Sequence, residues 1–227
     1  VQIFKKQIKT ETNLMIQINE QTTIISILEE NVLQLQRTIP YGTALAVEAV
    51  QNSKYFNVKN ENEAFLLLRG RELINMQLDS YNNEAALTMS MEESTEDFVK
   101  EMDGKEEVTH SLNSLISNVL RILDYYTSKN KEKKIQTIYV TGSGANILGI
   151  EGLLSHETGI ATEKLKALAS VAFHKNISIN QEEQKECFAC IGAAMDPVHF
   201  VPEEYRSTVK KKNIIHNRKT LFAGSVV

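Results

Sequence analysis

The fold class this sequence predicts is α/β with a mixed sheet, and three observations predict it. Three strand-like runs follow one another near the start, an amphipathic stripe of about five helical turns occupies the middle, and a compact apolar strand comes straight after that stripe. Leu14–Ile18, Thr22–Leu28 and Val32–Ile39 are rich in Ile, Leu, Val and Thr, which suit a pleated, half-buried surface, and short polar breaks separate them. Glu29-Glu30-Asn31 predicts a hairpin turn, because Asn tolerates a left-handed backbone. Pro40 and Gly42 end the third run, and Thr43–Gln51 turns helical. A short helix is expected over 61–75, broken or kinked near Gly70, and the polar stretch 79–93 has no decided structure.

The stripe itself consists of Val108, Leu112, Leu115, Ile116, Val119, Leu120, Leu123 and Tyr126 at spacings of three and four, which predicts one helix ending where Ser128-Lys129-Asn130-Lys131 turns polar. Ile135–Val140 reads as the buried strand, followed by Thr141-Gly142-Ser143-Gly144 and a helix over about Asn146–Ser155. Residues 161–179 are mixed, with a short strand and a loop expected, and Gln181–Met195 reads as a final helix rich in small residues. No internal repeat is present.

Composition narrows the class of protein. The 227 residues are 42% hydrophobic and 24% charged, which excludes wholesale disorder, and 10 Gly with 3 Pro exclude collagen and low-complexity linkers. Two cysteines exclude a disulfide scaffold and fit a reducing compartment. The longest apolar run, Cys187–Met195, is too short to span a bilayer. The chain starts at Val1 without a readable signal peptide and stops within the apolar Leu221–Val227, so it is expected to be an internal piece of a longer protein. Between Pro202 and Thr220, six basic residues face two acidic ones; this net +4 leaves −8 on the remainder. A basic segment running into an apolar one is the pattern of a cytoplasmic membrane flank, with a solvated basic tail as the bland alternative. Nucleic acid is not expected as a partner, since the body is acidic and has no basic patch with interleaved aromatics.

Few motifs carry chemistry. The glycines of Gly142-Ser143-Gly144 at a strand–helix junction would let backbone approach a nucleotide, although a tight turn needing positive φ explains them equally. The dinucleotide fingerprint fails, because Ile147 stands where its third glycine belongs. Cys187 and Cys190 are spaced as CxxC but lack a redox context and further zinc ligands, so two small buried helix residues are expected. His110, His156, His174, His199 and His216 are scattered. No catalytic or metal-ligating constellation follows.

Three stretches together carry a resemblance. They are Ile16–Gly42, ending Arg37-Thr38-Ile39-Pro40-Tyr41-Gly42; the helix ending Arg121-Ile122-Leu123-Asp124-Tyr125-Tyr126, followed by Ile138–Ala145 and Leu148-Gly149-Ile150; and the small-residue segment Ala189–Met195. In order and spacing, over residues 12–196, the chain resembles the C-terminal half of the PilM family, actin-like cytoplasmic proteins of type IV pilus assembly related in fold to FtsA. The resemblance implies an incomplete actin-like (ribonuclease-H-like) mixed-sheet subdomain over 1–51 and 105–196, with a smaller α+β subdomain inserted at 52–104. It implies ATP or ADP with Mg as ligand, bound by Gly142, Ser143, Gly144 and Asn146 of the glycine turn and by Thr22 and Thr23 of the hairpin. Val198, His199, Phe200, Val201 and Pro202 look like the docking peptide of PilN, the family's membrane partner. That implies a fusion, with peptide and basic linker over 197–220 and a membrane helix starting at 221–227. Docking would then be intramolecular at high effective concentration, or by exchange between neighbouring molecules, since only Asp196 and Pro197 separate helix and peptide.

One departure bears on activity. An actin-type second phosphate loop should read D-x-G, whereas Gln17-Ile18-Asn19-Glu20-Gln21-Thr22-Thr23 has neither residue. Little or no ATP hydrolysis is therefore expected. The expected function is a non-catalytic adaptor at the cytoplasmic face of the inner membrane, in a type IV pilus or related type II secretion platform. It would join PilN- and PilO-like membrane proteins to the cytoplasmic pilus ATPase machinery, with self-association through peptide exchange. The alternatives are an active actin-like ATPase completed by an upstream half, and an unrelated α/β domain with a basic tail.

Overall fold

The computed structural model describes residues 7–78, 96–165 and 188–195. The chain divides into two compact units, Val1–Phe188 and Ala189–Val227. The first contains a five-stranded mixed sheet in the order β3-β2-β1-β4-β5, formed by β1 (Thr12–Ile18), β2 (Thr23–Glu29), β3 (Val32–Ile39), β4 (Thr137–Thr141) and β5 (Thr162–Lys164). The three front strands pair antiparallel, while β4 lies parallel to β1 and β5 parallel to β4.

Strand alternation sets the core. Leu14, Ile16 and Ile18 of β1 and Ile25 and Ile27 of β2 point to one face, where α1 (Thr43–Asn52) contributes Ala46, Val47 and Val50. On the same cluster, α4 (Asn113–Lys129) contributes Leu115, Ile116 and Val119. All five residues of β4 are buried, as befits a strand inside a sheet with both faces covered. The hairpin turn is as expected: Glu30 and Asn31 have φ of 49° and 65°, the two-residue connection whose twist matches its strands. Its base is tied to α4, for Glu29 accepts a hydrogen bond from the Tyr126 hydroxyl and lies 2.6 Å from Lys133 Nζ. The Lys133 and Tyr126 hydrogen bonds hold the Glu29 carboxyl below its usual 4.5, while burial and Glu29 push the Tyr126 phenol up to about 12. At neutral pH, carboxylate and phenol are thus both in the protonation state this contact needs.

Two helices differ from expectation. The stripe from Val108 to Tyr126 is not one helix but α3 (Glu96–Ser111) and α4, divided at Leu112. The Thr109 and Ser111 hydroxyls donate back to Lys105 O and Val108 O, and Thr109 Oγ1 also accepts from Asn75 N–H. Such side-chain bonds compete with the helical ladder, and a tighter turn in which Leu112 N–H reaches Thr109 O results. The apolar phase survives, which is why periodicity could not show the break. The helix expected over Asn146–Ser155 is instead a 3₁₀ turn (Ser143–Asn146) followed by α5 (Ile150–Thr158). Leu148 N–H is drawn off to Leu68 O, and Gly149 adopts a left-handed φ of 91°.

α2 (Glu61–Gly70) stops at Gly70, as the break predicted. Among the described residues of 52–104 the elements are helical. In the second unit, the described segment is the end of α6 (Phe188–Met195); Cys190 there is an exposed free thiol, not the buried residue expected. The N-terminal part of that predicted helix, Cys187, the 198–202 peptide, the basic linker and the apolar end all lie outside the described residues. Among the described residues no helix is long and apolar enough to cross a membrane.

Candidate functional site

Parallel strands that neighbour each other end on the same side of a sheet, and β1 and β4 do so here. The turn after β1, residues 19–22, therefore stands beside the glycine turn after β4. Contact is close: a Cβ added to Gly142 would lie 2.3 Å from Ile18 O, and one on Gly144 would lie 2.4 Å from Ile18 Cγ2. Ser143 Oγ donates to Ile18 O at 3.3 Å. Gly142 also has φ of 83° with ψ of −174°, a region essentially open to glycine alone. Positive φ thus accounts for Gly142, and the close approach at both glycines is to Ile18 of β1.

The turn after β1 is anchored from the other side by α1. Gly42 is the helix N-cap, with extended backbone and no side chain to offer. In its place the turn supplies carbonyls: Thr43 N–H donates to Asn19 O (2.9 Å) and Ala44 N–H to Glu20 O (3.0 Å), while Leu45 N–H donates to Gly42 O (3.3 Å). A helix N-terminus binds an anion through such free N–H groups. Here the first three are already occupied by the chain's own carbonyls.

Around this junction lies a cleft of about 810 Å³, within the size range of ligand sites. Its lining is drawn from the turn (Asn19, Glu20, Gln21), from α1 (Thr43, Val47, Glu48, Gln51), from α2 (Glu61, Asn62, Phe65) and from Ser143. Of the six residues expected to hold nucleotide, Ser143 lines it. Gly142 and Gly144 are buried beneath the turn, and Asn146 is half-buried in the 3₁₀ segment. Thr22 is exposed on the turn, whereas Thr23 is fully buried and its hydroxyl donates to Tyr41 O at 2.8 Å.

The charges in the cleft have one sign. Glu20, Glu48 and Glu61 line it, with no Lys or Arg among the lining residues. Three carboxylates disfavour a bare polyphosphate there, an effect that water and salt screen because all three are exposed. Among the described residues no three His, Cys, Asp or Glu side chains are gathered into one cluster that could hold a metal ion. The part of the cleft formed by these residues is thus acidic, and no chemical step through a metal–nucleotide polyphosphate is derived. Reading the sequence alone missed the walls on α1 and α2, whose carboxylates and carboxamides look like ordinary solvated helix faces.

Comparison with known proteins yields likeness of structure only. No family model and no curated protein matches the chain. It is similar to a PilM–PilN type IV pilus biogenesis complex, at 17% identity over 84% of this chain and 47% of that one, with a TM-score of 0.55. It is similar also to MreB 5 of Spiroplasma citri bound to AMPPNP (14%, 95% of this chain and 59% of that one, 0.52). A non-polymerising MamK mutant bound to AMPPNP is a further match (14%, 74% and 53%, 0.50). The fold is thus an incomplete actin-like α/β fold, and the chain spans about half the length of the solved structures it matches.

Proposed function

We propose that this chain belongs to a PilM-like, non-catalytic adaptor at the cytoplasmic face of the membrane in a type IV pilus or type II secretion platform. In this reading it holds PilN- and PilO-like membrane proteins in register with the cytoplasmic pilus ATPase machinery through protein contacts, not through turnover of ATP. The observation that carries the non-catalytic part is the occupation of the α1 amides. Thr43 and Ala44 give their N–H groups to Asn19 O and Glu20 O, where an anion-binding helix would keep them free. The three carboxylates of the cleft support it electrostatically. Likeness to the PilM–PilN complex supports the pilus setting. The peptide 198–202 supplies the PilN-like element of this reading from the sequence.

Calorimetric titration of the full-length protein with Mg-ATP, together with a phosphate-release assay, tests it. The expected result is no binding heat in the micromolar range and no phosphate release above the buffer rate. Micromolar binding with steady release would transfer the chain to the active actin-like ATPases.

A further inference from the structure

We infer that Gln34 guards the long edge of the sheet. The extra residue it inserts into β3 keeps that strand from pairing along its whole length with β3 of a second copy, and Arg37 blocks the shorter pairing that remains.

The order β3-β2-β1-β4-β5 puts β3 and β5 at the two edges of the sheet. β5 has three residues, too few to template a partner, whereas β3 has eight, about 26 Å of strand. An edge strand turns unpaired N–H and C=O groups outward, and natural sheets blunt that row with Pro, Lys, other charges or a bulge. β3 contains neither Pro nor Lys and carries one charge, Arg37. It also bares apolar surface, for Val32 is 60% and Leu33 48% exposed. Its register with β2 supplies the missing device. Ile27 stands opposite Leu35 and the next residue, Leu28, opposite Leu33, so Gln34 is left over as a bulge. A bulge bends its strand and increases the local twist, which ends any straight ladder there. The longest regular run is then Leu35–Ile39, with Arg37 at its centre. Two copies that pair this run antiparallel about a two-fold axis place Arg37 directly opposite Arg37, and like charges so placed are destabilising. Without Gln34 the run extends from Val32 to Ile39 and its centre moves to Gln36. Self-pairing then sets Gln36 against Gln36, whose carboxamides can donate and accept, Val32 against Ile39, and Arg37 against Leu35. The bulge therefore does more than twist the edge: it shifts the centre of the only symmetric pairing onto a charge.

Sedimentation equilibrium of the full-length protein tests this, with circular dichroism to check that each variant is folded. Deletion of Gln34 should raise the self-association constant about tenfold over the unaltered protein. Adding Gln36→Lys to the deletion sets like charges at the new centre and should return association to the unaltered level. Arg37→Thr, which keeps the bulge and removes the central charge of the shorter run, should raise association about threefold. A folded deletion variant that associates no more than the parent overturns the guard, as does a rise that Gln36→Lys leaves in place. If the deletion prevents folding, Arg37→Thr decides, and no rise there overturns it. Self-association of the unaltered protein that Gln36→Lys abolishes would show β3 already paired, which also overturns it.

Discussion

Gly142→Ala is expected to destabilise the protein by about 3–5 kcal/mol, seen as a lowered urea midpoint with little change in slope. Two costs coincide there. The backbone stands at φ of 83°, which a residue with Cβ adopts only under strain of about 1–3 kcal/mol. That Cβ would also meet Ile18 O at 2.3 Å and Ile18 C at 2.9 Å, backbone atoms of β1 that cannot move aside as a flexible side chain can. Ile18 is itself fully buried in the core, so relief of the clash must shift the β1–β4 pairing. Against a typical domain stability of about 5–15 kcal/mol, this is a large fraction. A variant as stable as the parent would mean that the glycine turn does not press on β1.

Gly42→Ala should cost about 3–5 kcal/mol for a different reason. Gly42 has extended φ of −151°, open to any residue, so the conformation itself is not strained. The obstacle is space, since a Cβ would lie 2.0 Å from Glu20 O and 2.5 Å from Gln21 N. Room can be made only by pushing the β1–β2 turn off the end of α1, which breaks the bonds from Thr43 and Ala44. Overpacking of about 1–3 kcal/mol and two lost hydrogen bonds of about 1 kcal/mol each give the total. Thermal unfolding followed by circular dichroism checks it, and the β1–β4 pairing should stay in place, unlike in Gly142→Ala.

The two glycines also mark what could be read from residues alone. β1–β3 were legible because runs rich in Ile, Leu, Val and Thr, short polar breaks and an Asn in the turn all agree locally. Gly142 and Gly144 were legible as a turn that needs glycine, and their place beside the first hairpin follows from the parallel pairing of β1 and β4. Gly42 was legible only as the end of a strand, because its tight contact is with Glu20, more than twenty positions upstream. The division at Leu112 was hidden by an apolar stripe that continues in phase across it. The delayed start of α5 depends on Leu148 reaching Leu68 O, a contact between distant parts of the chain. The cleft walls were hidden similarly: Glu48, Glu61 and Phe65 belong to two helices whose faces meet only once α1 and α2 pack.

The first amides of α1, those of Thr43 and Ala44, are bound to the chain's own turn. Amide NMR of Thr43 and Ala44 in the isotope-labelled full-length protein measures it directly during addition of Mg-ATP. Both resonances should be protected from solvent exchange and stay at fixed shifts up to millimolar nucleotide. Rapidly exchanging amides that move with a micromolar midpoint would show these groups reaching for phosphate, and would contradict the adaptor reading at its root.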